Sequence, residues 1–363
     1  MKKSKSQHAI GMILALLLLT SCAGIKPAAP GRLISAADQS FRYEGRFDLS
    51  DPAAPVVIWE GSRISFDCDG PELALRFAGA KGQNFFDVRV DEVNSILGVA
   101  KGKSTLVVPL PAPPSQRHRV VLFKRSEASA GTVRFTGVTV STGARLWPSA
   151  PADYRLAMGF FGDSKTAAAC DEDGAVDQWD DRRTHNSALS YATLTAAHFS
   201  ADHQNISVSG MGVVTGWTNV LARQIWDRLY PKVGSAPADL TQWQPEIIFV
   251  NLGDNDESFS RSRHKPFPPA FADAYVSLVR GIRGAYPKAR IVLLRGGMTD
   301  SSQKSALRDA WEAAVARLEK TDAAISHFVF THWSSNHPRV ADHRILADEL
   351  IGWLEKQGFP TSR

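Results

Sequence analysis

Cysteine is scarce in this chain: three residues in 363, at Cys22, Cys68 and Cys170. The last two lie in different halves of the sequence, too few for a disulfide framework, and read as isolated thiols although a bridge between them stays open. Long apolar runs are missing as well. The run from Ile10 to Leu19 falls short of the ~20 residues that a membrane-spanning helix needs,. No basic run interleaved with aromatics occurs, which argues against nucleic acid as a partner. Hydrophobic residues at 44% and charged residues at 22% are the proportions of ordinary globular domains,.

What is present begins with a leader. "MKKSKSQHAIGMILALLLLTSC", residues 1–22, has a basic start, a short apolar stretch and small residues before a cysteine, the pattern of a secretory signal,. Leu19-Thr20-Ser21-Cys22 resembles the lipobox of bacterial lipoproteins, which makes residues 1–21 the signal peptide, Cys22 the lipidated first residue and 22–30 a tether. A plain signal peptide or an uncleaved anchor is the alternative. Diacylation would supply the two chains that stable membrane anchoring needs. The expected location is the bacterial cell envelope, and Ala23 after the cysteine favours the outer membrane by analogy with lipoprotein sorting. Loss of the leader removes Lys2, Lys3 and Lys5 and no acidic residue, so the formal net charge falls from +5 to +2.

Residues 31–148 follow a period of two. "ELALRFA" puts Leu73, Leu75 and Phe77 on one face, "FFDVRVD" does the same with Phe86, Val88 and Val90, and "TVRFTGVTV" with Val133, Phe135, Val138 and Val140. Half-buried strands separated by short turn segments predict an all-β sandwich of jelly-roll type. "RLWPSAPADYR", residues 145–155, carries two prolines among small and polar residues, and the linker is placed at 149–156. From 157 to 363 apolar runs such as "EIIFVNLG" and "ARIVLLRGG" alternate with amphipathic stretches, the clearest being "FADAYVSLVRGIRGAY", "SALRDAWEAAVARLEK" and "ADHRILADELIGWLEKQG". This alternation predicts a three-layer α/β domain with a parallel sheet, whose ligands bind at the carboxyl ends of the strands.

Polar motifs fall at those ends. In "MGFFGDSK" the serine, Ser164, would open a helix after a sharp turn, where free N–H groups and the helix dipole favour a developing oxyanion; Asp163 and Ser164 also serve well as plain helix caps,. "VNLGDND" offers Asn255, whose amide donates a hydrogen bond without titrating, or an Asx turn,. "SVSGMG" offers Gly210, which lets a bare backbone N–H approach a substrate; with Gly212 and Gly216 it also imitates a dinucleotide fingerprint, but no acidic residue follows at the required distance,. In "NHPRVADH", His337 precedes Pro338, a residue suited to a first helical turn, and is the candidate base,. His343 lies about 600° of helical rotation further on, so the two histidines are not a metal pair.

Taken in order, Gly-Asp-Ser, glycine, Gly-x-Asn-Asp and His-Pro resemble the four blocks of the SGNH (GDSL-type) hydrolases. The chain resembles carbohydrate esterase family 2 more closely, through "GRFD" at 45–48, "WEGSRISFD" at 59–67, "HRVVLFKRSEASAGTVRFTGV" at 118–138, "SYATLTAAHFSA" at 190–201 and "VNLGDND". That resemblance implies a jelly-roll domain ahead of an SGNH domain, with Ser164 as nucleophile and His337 as base and then acid. It implies an oxyanion hole of the Ser164 N–H, the Gly210 N–H and the Asn255 side chain. The reaction would be two-step removal of an acetyl group from an acetylated oligo- or polysaccharide, without metal or organic cofactor.

Three positions depart from the family pattern. The usual triad acid lies two or three residues before the histidine, where this chain has Ser335 and Ser334, so a Ser-His dyad is expected. Ser335 or a main-chain oxygen near 333–336 would then hold the imidazole, unless Asp256 or Asp342 approaches in space. Lys165 follows the nucleophile where an apolar residue is usual; it either points into solvent or attracts an acidic glycan or the leaving oxygen. Asp254 stands where threonine is common and caps a turn. Two competing readings remain: a lipid or thioester hydrolase on the same scaffold, and a glycan-binding lipoprotein without catalysis.

Overall fold

The computed structural model describes residues 31–298 and 302–359; the leader, Cys22 and the rest of the tether lie outside them. Residues 31–147 fold into two antiparallel six-stranded sheets stacked as a sandwich. The long strand Gly131–Ser141 shows how the sequence period sets the packing. Val133 and Phe135 face the core, then the apolar register slips by one to Val138 and Val140, and all four are buried. The slip is a β-bulge between Phe135 and Gly137 against Glu72–Gly82, with Gly137 at φ +115° where a Cβ would meet the Ile34 carbonyl oxygen at 2.0 Å,.

The second domain carries a parallel sheet in the order Ala201–Ser207, Leu156–Gly162, Ile247–Asn251, Arg290–Gly297, Ile325–Trp333. The three central strands are largely buried apolar runs whose alternate residues feed opposite faces. Ile248 and Val250 pack with helices Phe271–Ala285 and Ala306–Glu319, and Ile247 and Phe249 pack with Tyr191–His198 and Val340–Lys356. The expected three layers are therefore present, and the three long helices begin and end within two residues of the amphipathic stretches read from the sequence.

The strand order reverses around Leu156–Gly162, which has the second strand on one side and the third on the other. Gly162 is level with Ser207 and with Asn251. Ser164, Gly210 and Asn255 thus leave the sheet from one level at its switch point, where open α/β sheets bind ligands. The sandwich is joined to this domain by a shared core: Ile58, Trp59 and Ala128 belong to the same apolar cluster as Phe161, Ile225 and Tyr275. Arg46 donates to the Trp226 carbonyl at 2.8 Å, Trp59 to the Leu229 carbonyl at 2.8 Å, and Arg63 pairs with Asp202.

Candidate active site

Ser164 opens a four-residue helix, Ser164–Ala167, directly after the first parallel strand. The Asp163 carboxylate caps it, accepting from the Lys165 N–H at 3.2 Å. Gly162 is needed for space and not for a strained turn: its φ is ordinary, and a Cβ there would meet Thr166 Oγ1 at 2.1 Å. His337 stands four residues beyond the fifth strand and ahead of helix Val340–Lys356, capped by Arg339. Its Nε2 lies 2.9 Å from Ser164 Oγ, so the serine and the imidazole are in hydrogen-bond contact as expected.

The other imidazole nitrogen corrects the sequence reading. His337 Nδ1 lies 2.7 Å from Asp177 Oδ2, a residue 160 positions upstream in the segment between the nucleophile helix and the second strand. Neither Ser335 nor a local carbonyl holds it, so the arrangement is a Ser-His-Asp triad and not a dyad. Asp256 is committed elsewhere, accepting the N–H groups of Val213, Val214 and Thr215 at 2.7–2.9 Å. Asp342 binds His332 at 2.7 Å and the Arg339 N–H at 2.8 Å. Ser335 only lines the cleft.

Arg339 fastens Asp177 to its place. One guanidinium nitrogen is 2.8 Å from Asp177 Oδ1 and also reaches the Cys170 carbonyl, while Nε donates to the Gly174 carbonyl. The Asn336 amide adds a bond to the Ala175 carbonyl at 3.0 Å. Segment 170–177 is thereby fixed to the 336–340 turn. Burial opposes ionisation of Asp177, but the hydrogen bonds from His337 and Arg339 outweigh it and hold the carboxyl below its ordinary range,. An acceptor of that kind fixes the proton on Nδ1 and leaves Nε2 free to take the serine proton. Cys170 comes within 4.8 Å of the same ligand atoms, and the two imidazole nitrogens there contact Ser164 and Asp177. Cys68 and Cys170 are both free and buried.

The three donors expected for an oxyanion line one cleft with Ser164 and His337. The Ser164 and Gly210 backbone N–H groups have no hydrogen-bond partner among the described residues. Gly210 takes φ +79°, and a Cβ there would press on Trp217 Cβ at 3.0 Å. Asn255 sits in the first turn of helix Asp254–Ser262, an element the sequence reading missed, with its amide nitrogen 3.2 Å from Asp163 Oδ2 and 3.1 Å from the Met211 carbonyl. Those two acceptors take both hydrogens of the amide at the cleft edge, so donation to an oxyanion requires one of them to be released,.

Lys165 is neither solvated nor available to a ligand. Its side chain is 1% exposed, and its ammonium pairs with Asp254 and lies 3.9 Å from Asp163. Burial depresses its pKa, opposed by the Asp163 charge,. The departures at 165 and 254 are thus one ion pair beneath the nucleophile turn, and Asp254 is a partner for Lys165 as well as the first residue of its helix. His343 is a core residue, accepting the Tyr191 N–H at 3.2 Å, and burial pushes its pKa down to about 3,.

The cleft holds about 530 Å³ and is walled by both domains. Glu127 and Ser129 enter it from the sandwich. Glu127 accepts the Ser209 N–H at 3.0 Å with one oxygen and pairs with Arg182 at 2.9 Å with the other, fixing the turn that presents Gly210. The exposed Trp179 packs edge to face on His337 at 4.8 Å with Arg182 over its ring, and the exposed Trp217 lines the cleft beside Gly210. Sequence reading missed Asp177, Glu127, Trp179 and Trp217. The acidic run 171–181 was visible, but nothing in its spacing distinguishes one of its carboxylates.

A nucleophile at a strand-to-helix turn, an imidazole oriented by a carboxylate and free N–H groups at neighbouring strand ends define a serine hydrolase of the SGNH type. Residues 43–151 match the family described as carbohydrate esterase 2 N-terminal, and residues 160–349 match the GDSL-like lipase/acylhydrolase family. The chain belongs to the GDSL-like lipase/acylhydrolase family, on the two-domain plan of the family 2 carbohydrate esterases. It is 26% identical, over 97% of this chain and 99% of the relative, to an acetylxylan esterase / glucomannan deacetylase of Cellvibrio japonicus. A cellulase/esterase, CelE, of Acetivibrio thermocellus is 29% identical over 87% of this chain, which spans 39% of that longer protein. A family two carbohydrate esterase from Clostridium thermocellum, solved in complex with cellohexaose, superposes with a TM-score of 0.76 at 28% identity, covering 88% of this chain and 100% of that one.

Proposed function

We propose that the protein is a serine esterase that removes O-acetyl groups from acetylated xylan or another glycan. One observation carries the reading: the hydrogen-bonded chain Ser164–His337–Asp177 lines a cleft that also carries two exposed indoles and two unpartnered backbone N–H groups. Ser164 Oγ attacks the acetyl carbonyl as its proton passes to His337 Nε2. The Ser164 and Gly210 N–H groups stabilise the charge that develops on the carbonyl oxygen, and the Asn255 amide joins them by turning one hydrogen away from the Met211 carbonyl,. Collapse expels the sugar oxygen, which takes the proton from Nε2, and leaves acetyl on Ser164. Water, deprotonated by the same nitrogen, then releases acetate and restores the serine. Indole faces give a pyranose ring a flat apolar surface, and charged groups on the walls suit its hydroxyls. The relatives named as acetylxylan esterases, and the cellohexaose bound to a structural neighbour, support a carbohydrate substrate. A lipid hydrolase would need an apolar acyl channel, whereas this lining includes Glu127, Asp163, Arg182 and Asp254.

Acetate release from acetylated xylan, together with p-nitrophenyl acetate and butyrate turnover, tests the reading. Ser164→Ala and His337→Ala are expected to lose at least about a thousandfold in turnover, and butyrate to be hydrolysed far more slowly than acetate. A parent protein that cleaves butyrate and longer esters faster than acetate would establish the lipid reading. One that hydrolyses no acetyl ester would leave the binding-protein reading.

The protein's place in the cell belongs to the same proposal. The lipobox-like Leu19-Thr20-Ser21-Cys22 supports cleavage before Cys22 and lipidation of its thiol, anchoring the enzyme in the bacterial envelope at the outer membrane. Radiolabelled palmitate is expected to enter the parent and not Cys22→Ala. Label in both, or in neither, would refute the anchor.

A further inference from the structure

We infer that the cleft continues into a cationic subsite for a carboxylate-bearing sugar, so that the preferred substrate is an acetylated acidic glycan. The inference rests on the esterase reading and deepens it. A second groove, of about 650 Å³, borders the first and shares Arg261 and Met298 with it. Arg261, Lys265 and Lys304 line this groove, all three exposed, and none forms an ion pair with a described residue. Arg295 adds a further cation, its guanidinium over the Trp311 ring. Among the described residues the lining has a single acid, Glu257, whose carboxylate accepts the Leu307 N–H at 3.3 Å. A wall of one sign in a concave surface focuses potential and raises the local concentration of anions.

Two features favour a sugar acid over another anion. The exposed Trp333 lines the groove at the end of the fifth strand, four residues before His337, and offers a ring face for a pyranose. Continuity through Arg261 makes the groove an extension of the path that the acetylated residue takes to Ser164. Lys165, the cation nearest the nucleophile in sequence, has no such role, because Asp254 already occupies it. Sugars bearing uronic carboxylates next to, or a few residues from, the acetyl group fit both features.

The test compares acetylated glucuronoxylan with the same polymer after reduction of its carboxyl groups to alcohols. In low salt the parent is expected to show a kcat/KM about tenfold higher on the acidic polymer, collapsing towards parity at about 0.3 M salt as screening shortens the Debye length. In Lys265→Gln/Lys304→Gln the acidic-to-neutral ratio is expected to fall about fivefold, and in Lys265→Arg/Lys304→Arg to return. Equal rates on both polymers in the parent, with or without salt, would overturn the inference while leaving the esterase reading intact. If neither polymer releases acetate, the esterase reading fails by itself. Calorimetric binding of deacetylated glucuronoxylan then decides the groove: binding by the parent that is lost in the glutamine variant supports it, and no binding overturns it.

Discussion

The two domains contribute to the site in different ways. The parallel-sheet domain supplies every atom placed to react, and it does so from loops that leave the strand ends at one level, so the positions of Ser164, Gly210 and Asn255 follow from sheet register. The sandwich supplies Glu127, which touches no reacting atom and holds the Ser209 N–H and Arg182 instead. Chemistry resides in one domain, while the shape of its oxyanion turn depends on the other. Because Ile58, Trp59 and Ala128 complete the hydrolase core, the sandwich is a wall of the enzyme and not a detachable binding module.

Separating the domains gives the largest expected effect. Residues 149–363 alone would expose the apolar surface now covered by Ile58 and Trp59, and are expected to be inactive and aggregated. A soluble, active fragment, by sedimentation and p-nitrophenyl acetate turnover, would contradict the shared core. Next in size is Lys165→Met, which leaves Asp163 and Asp254 facing each other without their buried cation. Breaking a buried pair in this way costs about 3 kcal/mol, so the urea midpoint should fall well below that of the parent. Glu127→Gln keeps the shape but weakens the grip on Arg182 and on the Ser209 N–H. A loss in kcat on the order of tenfold, about 1.4 kcal/mol, with little change in KM, is the expected sign of a sandwich residue acting through the oxyanion turn.

The smallest effect is linkage to pH. The carboxyl of Asp177 is held below its unfolded value, so its stabilising share is fully present above about pH 4 and fades as pH falls through the lower folded value. Urea midpoints measured between pH 5 and pH 2 should therefore fall more steeply for the parent than for Asp177→Asn. Parallel curves would mean that the pairing with His337 and Arg339 does not persist in solution.

Much of this architecture was legible in the sequence. Period two marked the sandwich, and even the bulge at Gly137 was written into the spacing of Val133, Phe135, Val138 and Val140, although it was read there only as alternation. Ser164 and His337 were legible because each sits in a short local motif. Asp177 was not, since its role depends on Arg339 and Asn336 drawing segment 170–177 across the sheet edge, a contact between residues 160 positions apart. The fate of Lys165 was hidden for the same reason: its partner Asp254 is 89 residues away, and a lysine beside a nucleophile reads as solvent-facing until the partner is placed.

The most direct test of the triad is kcat/KM for p-nitrophenyl acetate in Asp177→Asn and Ser335→Ala, measured beside the parent. Loss of the orienting carboxylate is expected to reduce the rate by about a hundredfold to ten-thousandfold, with Ser335→Ala within about threefold of the parent. Near-parent activity in Asp177→Asn together with a severe loss in Ser335→Ala would contradict the account and return the imidazole to a local partner.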